Sequence, residues 1–220
     1  TVDPVDAPDA PTYVEIGFVA GVPASLDGRE LPLAELIAKL NAIAGANGYG
    51  RIDMIENRYV GLKSRECYEV PAGLALIQAH KALEDLCLER DVLHHKLALE
   101  QLWADQVYNG RWFSPFKQAL DAFMGATQQD LTGAVKLKFY KADAWSWAAR
   151  APLPCTTPRS HLRQRRCVRP EGRQGFIDIQ GLSIKTWATK QAQLAGAGQD
   201  VHFEVVADAQ STACDQVVNY

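Results

Sequence analysis

The residues best equipped for chemistry lie between Gly50 and Glu69, in the run G-R-I-D-M-I-E-N-R-Y-V-G-L-K-S-R-E-C-Y-E. Carboxylates at Asp53, Glu56, Glu66 and Glu69 alternate with the cations of Arg51, Arg58, Lys63 and Arg65. Tyr59 and Tyr68 add phenols. Such a set can grip a small polar molecule through charge-assisted hydrogen bonds. The apolar pieces between these groups are too short to set a helical or strand period, so an irregular connector is expected. A connector this polar, held between two apolar helices, is where a polar-ligand site belongs.

The elements that must hold it in place are legible on either side. Tyr13 to Ala20 alternates, with Val14, Ile16 and Phe18 on one face, which predicts a half-buried strand. Gly21-Val22-Pro23 turns it, Ala24 to Leu26 pairs back, and Asp27-Gly28 closes a second turn. Leu33, Leu36, Ile37, Leu40 and Ile43 recur at helical spacing up to the stop at Gly45 and Gly48. After the polar run, Pro71 opens a second helix with an expected buried stripe of Leu74, Ile77, Leu83 and Leu86. A third helix starts at Asp91, runs through Leu93, Leu97 and Leu102, and ends at Asn109-Gly110. Ser114-Pro115 caps a fourth, with Leu120 and Phe123 turned inward. Trp103, Trp112 and Phe113 are expected in the core. Val135, Leu137 and Phe139 alternate with Lys136 and Lys138 in a strand, and Ala142 to Ala149, with Trp145 and Trp147 on one face, completes a hairpin.

Strands and helices come in runs, which predicts an α+β fold: a short antiparallel sheet packed with about four helices, and a C-terminal arm. Residues 1–150 form one domain, 151–174 an irregular segment, and 175–220 a C-terminal oligomerisation helix with a poorly ordered tail. Residues 150–173 carry seven Arg against one Glu, and no apolar period survives there.

The 220 residues are 47% apolar and carry a formal charge of −3, a soluble globular balance with no general pull toward nucleic acid or membrane. No apolar run approaches the ~20 residues needed to cross a bilayer. The five cysteines are odd in number and unpatterned, which points to reduced thiols in a cytoplasmic protein. Adjacent His94 and His95 project about 100° apart on a helix and cannot clamp one ion, so no metal site is expected. The acidic, Pro-rich start is unlike a targeting peptide. It lacks an initiator Met, and the chain reads as part of something longer.

The polar run also resembles the G-R-I-D-x-x-E-N-R-x-x-G-x-K-S-R-x-x-Y-E signature of argininosuccinate synthase. Tyr13 to Phe18, Gly21-Val22-Pro23, Leu40-Asn41, Val107-Tyr108-Asn109-Gly110, Trp112 to Pro115 and Leu131-Thr132-Gly133 fit the same family. The likeness covers about residues 2–149 and resumes at Gly175-Phe176. It implies the C-terminal half of a ligase that condenses citrulline with aspartate, using ATP and Mg²⁺, through a citrullyl-adenylate. Residue by residue, it implies that Glu56 and Tyr68 contact citrulline, and that partner subunits complete a homotetramer. A carboxylate suits the ammonium of an amino acid, and a phenol can bond either pole. Arg58, Lys63, Ser64 and Arg65 are expected to hold the loop or a subunit contact, and His80 to be a satisfied helical histidine.

The chain departs from the pattern in several places. The family's S-G-G-x-D-T-S loop is absent from residues 1–220, as is any Gly-rich phosphate cradle, so no catalytic, cofactor-binding or metal residue is expected here and the chain alone is expected to be inactive. Glu66 replaces the usual Gly and Val70 the usual Thr. Residues Ser160 to Gln174 can be back-translated so that a one-base shift reads as the acidic, Tyr-containing segment that the family carries before Gly-Phe, which predicts a local frameshift restored near Gly175. Two other readings compete: a non-catalytic assembly module, and a nucleic-acid tether built on the Arg cluster. The second lacks interleaved aromatics and sits in a net acidic chain, which disfavours it.

Overall fold

A computed structural model of the chain describes residues 1–152, 188–189 and 203–206. Its elements follow the α+β expectation. β1 (Thr12–Val19), β2 (Val22–Leu26) and β3 (Arg29–Glu30) form a meander, followed by α1 (Leu33–Ala46). β4 (Arg51–Asn57) and β5 (Lys63–Glu69) come next, then the helices α2 (Pro71–Cys87), α3 (Arg90–Tyr108) and α4 (Pro115–Gln128). β6 (Gly133–Tyr140), β7 (Asp143–Ala151) and β8 (Phe203–Val206) complete the order.

Six strands form one antiparallel sheet in the order β3-β2-β1-β6-β7-β8. The two alternating strands meet at its centre, with Val14 opposite Leu137 and Ile16 opposite Val135. Their buried side chains pack beneath α1 and α2, where Leu36, Leu40, Ala44, Ala75, Ala79 and Leu83 are also buried. The other sheet face is wet: Lys138 lies over the rings of Trp145 and Trp147, 5.8 and 5.1 Å from their centroids. An antiparallel sheet with one covered face reads as alternation, which is why both strands were visible in the sequence.

Turn chemistry joins these strands. Asp27 and Gly28 both have positive φ (50° and 75°), the backbone of a two-residue hairpin turn matched to strand twist. Lys141 and Ala142 adopt the same form at 48° and 69°, with no glycine to ease it. The Lys141 ammonium compensates by donating to the Ala7 carbonyl at 2.7 Å and pairing with Asp9.

Three expectations need correction. The polar run is not an irregular connector: β4 and β5 pair along their whole length as a two-stranded ribbon, with Arg51 opposite Glu69 and Asn57 opposite Lys63. Among the described residues neither face of that ribbon covers a core, so no apolar alternation marks it. The buried stripe of α2 is Ala72, Ala75, Ala79, Leu83 and Leu86, whereas Ile77 is 54% exposed and Leu74 only partly covered. Small residues win the inward positions because α2 packs closely on both α1 and the sheet. The aromatic residues around α3 and α4 do not form a core either: Trp112 is exposed, Trp103 half-buried, and Phe113 is 91% exposed.

α3 and α4 pack against one another rather than under the sheet. On α3 only Lys96 and Gln106 are buried, and Leu97 and Leu102 face outward. Leu120 of α4 is buried as expected, and Phe123 partly so. The segment expected to be irregular and frame-shifted falls, from residue 153, outside the described residues. The C-terminal oligomerisation helix and tail do so as well, apart from Ala188–Thr189 and β8, which pairs with β7.

Candidate functional site

The ribbon stands on a tight base. The Val70 amide donates to the Gly50 carbonyl at 2.8 Å, where the chain enters β4 and leaves β5. Gly50 has φ +116°, and a Cβ there would lie 2.3 Å from the Pro71 Cα, so glycine is required for the ribbon to spring from the start of α2.

Pleating sorts the side chains of the polar run onto two faces. On one, Arg51 bonds Glu69 and Arg65 grips Asp53 through both carboxylate oxygens, at 2.8 and 2.5 Å. On the other lie Glu56, Ser64, Glu66 and Tyr68. Arg58, just past β4, donates to Ser64 Oγ at 3.2 Å and to Glu66 at 2.7 Å, and its guanidinium lies 3.6 Å from Glu56. Arg58 and Ser64 thus brace the ribbon, as the sequence suggested. Glu66, the unusual acid, is neutralised by Arg58 instead of standing free.

Glu56 is the centre of this face. Its side chain is 14% exposed. Tyr68 donates its hydroxyl to Glu56 Oε2 at 2.9 Å, so the structure brings both sequence-predicted residues together. A third group was missed: Tyr108, at the last turn of α3, donates to Glu56 Oε1 at 2.7 Å. In the sequence Tyr108 stood in the Val107-Tyr108-Asn109-Gly110 stretch that fits the family and before a helix stop, with no role assigned to it.

Each phenol occupies one carboxylate oxygen. An ionised carboxylate has about four acceptor sites, so Glu56 retains capacity for further donors. The bonds from Tyr108 and then Tyr68 hold the Glu56 carboxyl below its ordinary range, against a smaller opposing effect of desolvation. The same bonds push both phenols upward. At neutral pH the arrangement is therefore a fixed anion flanked by two neutral hydroxyls, suited to a primary ammonium.

The ATP and Mg²⁺ implied by the resemblance do not fit these residues. Around Glu56 two carboxylates face one guanidinium, the wrong sign for a triphosphate. The start of α3 is already filled by Glu89, whose carboxylate accepts from the Asp91 and Val92 amides, and that of α4 by Ser114. Among the described residues no group of three or more His, Cys, Asp or Glu is placed to hold a metal ion. His95 instead faces the Asp91 carbonyl at 2.7 Å. His80 is a satisfied helical histidine, 2.8 Å from Gln128 and edge-on to Phe18. No helix among the described residues is long and apolar enough to cross a membrane.

Comparison with known proteins agrees with the signature. The family model described as "Arginosuccinate synthase C-terminal domain" matches residues 1–187. The argininosuccinate synthase of Rubrobacter xylanophilus is 50% identical over 196 residues, covering 86% of this chain and 46% of the relative. Those of Symbiobacterium thermophilum and Thermosynechococcus vestitus are each 47% identical, covering 89% and 84% of this chain. The chain spans about half the length of these curated relatives. On its sequence signature, its α+β fold and this breadth of likeness, the chain belongs to the argininosuccinate synthase family.

Proposed function

We propose that this chain is the citrulline-side half of an ATP-dependent ligase that joins citrulline to aspartate, with Glu56 receiving the substrate ammonium and Tyr68 bonding the same amino-acid head. The observation that carries this reading is the Glu56 carboxylate, kept ionised by two phenols and still able to accept. Its chemistry is positioning: a fixed charge removes the freedom of the substrate's polar end, so that its far end can be presented to a reacting partner. ATP, Mg²⁺ and aspartate are assigned to a segment carrying the family's S-G-G-x-D-T-S loop, and no step is assigned to them here.

Citrulline titrated into the isotope-labelled chain should shift the resonances of the β4–β5 ribbon. Glu56→Gln should weaken that response about tenfold or more, since a charge-assisted bond becomes a neutral one. Unchanged citrulline affinity in Glu56→Gln would remove the assignment. The chain alone should release no pyrophosphate from ATP and citrulline, and measurable release would overturn the division of labour.

A second reading, a non-catalytic assembly module, is favoured by the apolar groups outside the site. Tyr59, Val60 and Leu62 at the ribbon tip and Phe113 between α3 and α4 are all exposed. Both readings accommodate a homotetramer in the cytoplasm. Sedimentation of the chain tests the assembly, and the citrulline titration separates the two.

A further inference from the structure

Glu84 of α2 is 1% exposed. It accepts from Lys96 Nζ at 2.9 Å and from Gln128 Nε2 at 2.9 Å, with His80 Nδ1 at 3.5 Å. Lys96 is also buried and reaches Glu100 one turn along α3. Burial pulls the Lys96 pKa down, but its bonds to Glu100 and Glu84 outweigh that and leave it raised. The contact ties α3 to α2 where apolar packing does not: Lys96 and Gln106 are the only buried residues of α3.

Tyr108 lies twelve residues beyond Lys96 on the same helix, which places it about 18 Å away along a stiff rod. The Tyr108 hydroxyl meets Glu56 of the ribbon at the far end of that rod. α4 holds α3 as well, through the Trp103 indole donating to Asp121 at 2.8 Å, but the Lys96–Glu84 pair is the buried ionic tie to α2, and the position of the helix's far end depends on it.

We propose that Tyr108 is a positioning residue of the amino-acid site, aiming the Glu56 carboxylate at its ligand, and that the buried Lys96–Glu84 pair is the anchor that keeps Tyr108 there. The inference deepens the citrulline reading and rests on it for the identity of the ligand. It concerns α3, which carries neither of the residues assigned to citrulline. Without the Tyr108 bond, one Glu56 oxygen is left to Arg58, 3.6 Å away, which would draw the carboxylate back onto the ribbon.

The test is a ¹³C NMR titration of the Glu56 carboxyl in the full 220-residue chain, run beside citrulline binding by chemical shift. Tyr108→Phe should raise the Glu56 midpoint and weaken citrulline about tenfold. Lys96→Met should raise the midpoint in the same direction, and Lys96→Arg should restore it. If Lys96→Met does not fold, the double variant Lys96→Met with Glu84→Leu leaves no stranded charge and serves instead. A Glu56 midpoint unmoved by Tyr108→Phe overturns the positioning role. A midpoint moved by Tyr108→Phe but not by the folded Lys96 variants overturns the anchor. Midpoints that move while no variant binds citrulline uphold the positioning of Glu56 and reject the ligand instead.

Discussion

The sheet with α1 and α2, and the ribbon with α3 and α4, are held together by different forces. In the first, Val14, Ile16, Phe18, Leu137 and Phe139 are almost wholly removed from water, and their burial is non-directional and cumulative. In the second, the contacts that fix position are Glu84–Lys96, Arg58–Glu66, Arg65–Asp53 and the two phenols on Glu56. Directional contacts set angles and distances more tightly than apolar packing, but each contributes less and depends on charge state. The family's signature lies in the second region.

Substitutions should separate the two. Phe139→Ala opens a void at the centre of the sheet and should lower unfolding stability by ~3–5 kcal/mol, read from the denaturant midpoint of the whole molecule. Lys96→Met alone strands a buried carboxylate and should cost on the order of 3 kcal/mol, whereas adding Glu84→Leu should recover most of that loss. If the double variant is no better than the single, the pair is not the element that joins α3 to the body.

Backbone strain gives a smaller and opposite effect. Ala142 sits at φ +69°, where an alanine side chain costs free energy, so Ala142→Gly should raise stability by about 1 kcal/mol. Loss of stability in that variant would mean the turn is held by its side chains and not merely tolerated.

The mildest probe is pH. The lowered Glu56 carboxyl contributes fully above its ordinary value of 4.5 and loses that contribution as pH falls through its folded value. Tyr68 and Tyr108 are raised, so their contribution is full below the ordinary 10.0 and is lost as pH rises through their folded values. Amide exchange in the ribbon should therefore quicken at both extremes while exchange in β1 and β6 stays slow. Equal quickening in both regions would erase the distinction.

The same contrast explains what was legible in the sequence. β1 and β6 were read correctly because one wet face and one dry face force alternation; α1 was placed correctly, but of its stripe Leu36 and Leu40 meet that dry face while Leu33 and Ile37 are exposed. α2 was placed correctly but its inward side was misjudged: Leu74 and Ile77 have the apolar character of a core stripe, yet close approach to α1 selects the alanines. The ribbon was taken for a loop because periodicity reports burial, and its partner strand covers edges, not faces. Glu56 and Tyr68 were found through the ordered signature alone. Tyr108 escaped because it lies in another element, and only folding brings it across.

The ribbon's far face has a role that follows from its pairing. Shifting one strand of a two-stranded ladder by a single residue exchanges its inward and outward side chains, and no core forbids such a slip here. Arg51 with Glu69 and Arg65 with Asp53 fasten the two strands in one alignment from behind. Charges on the back of the ribbon can thus decide which side chains its other face presents, and neutralising them would change that set.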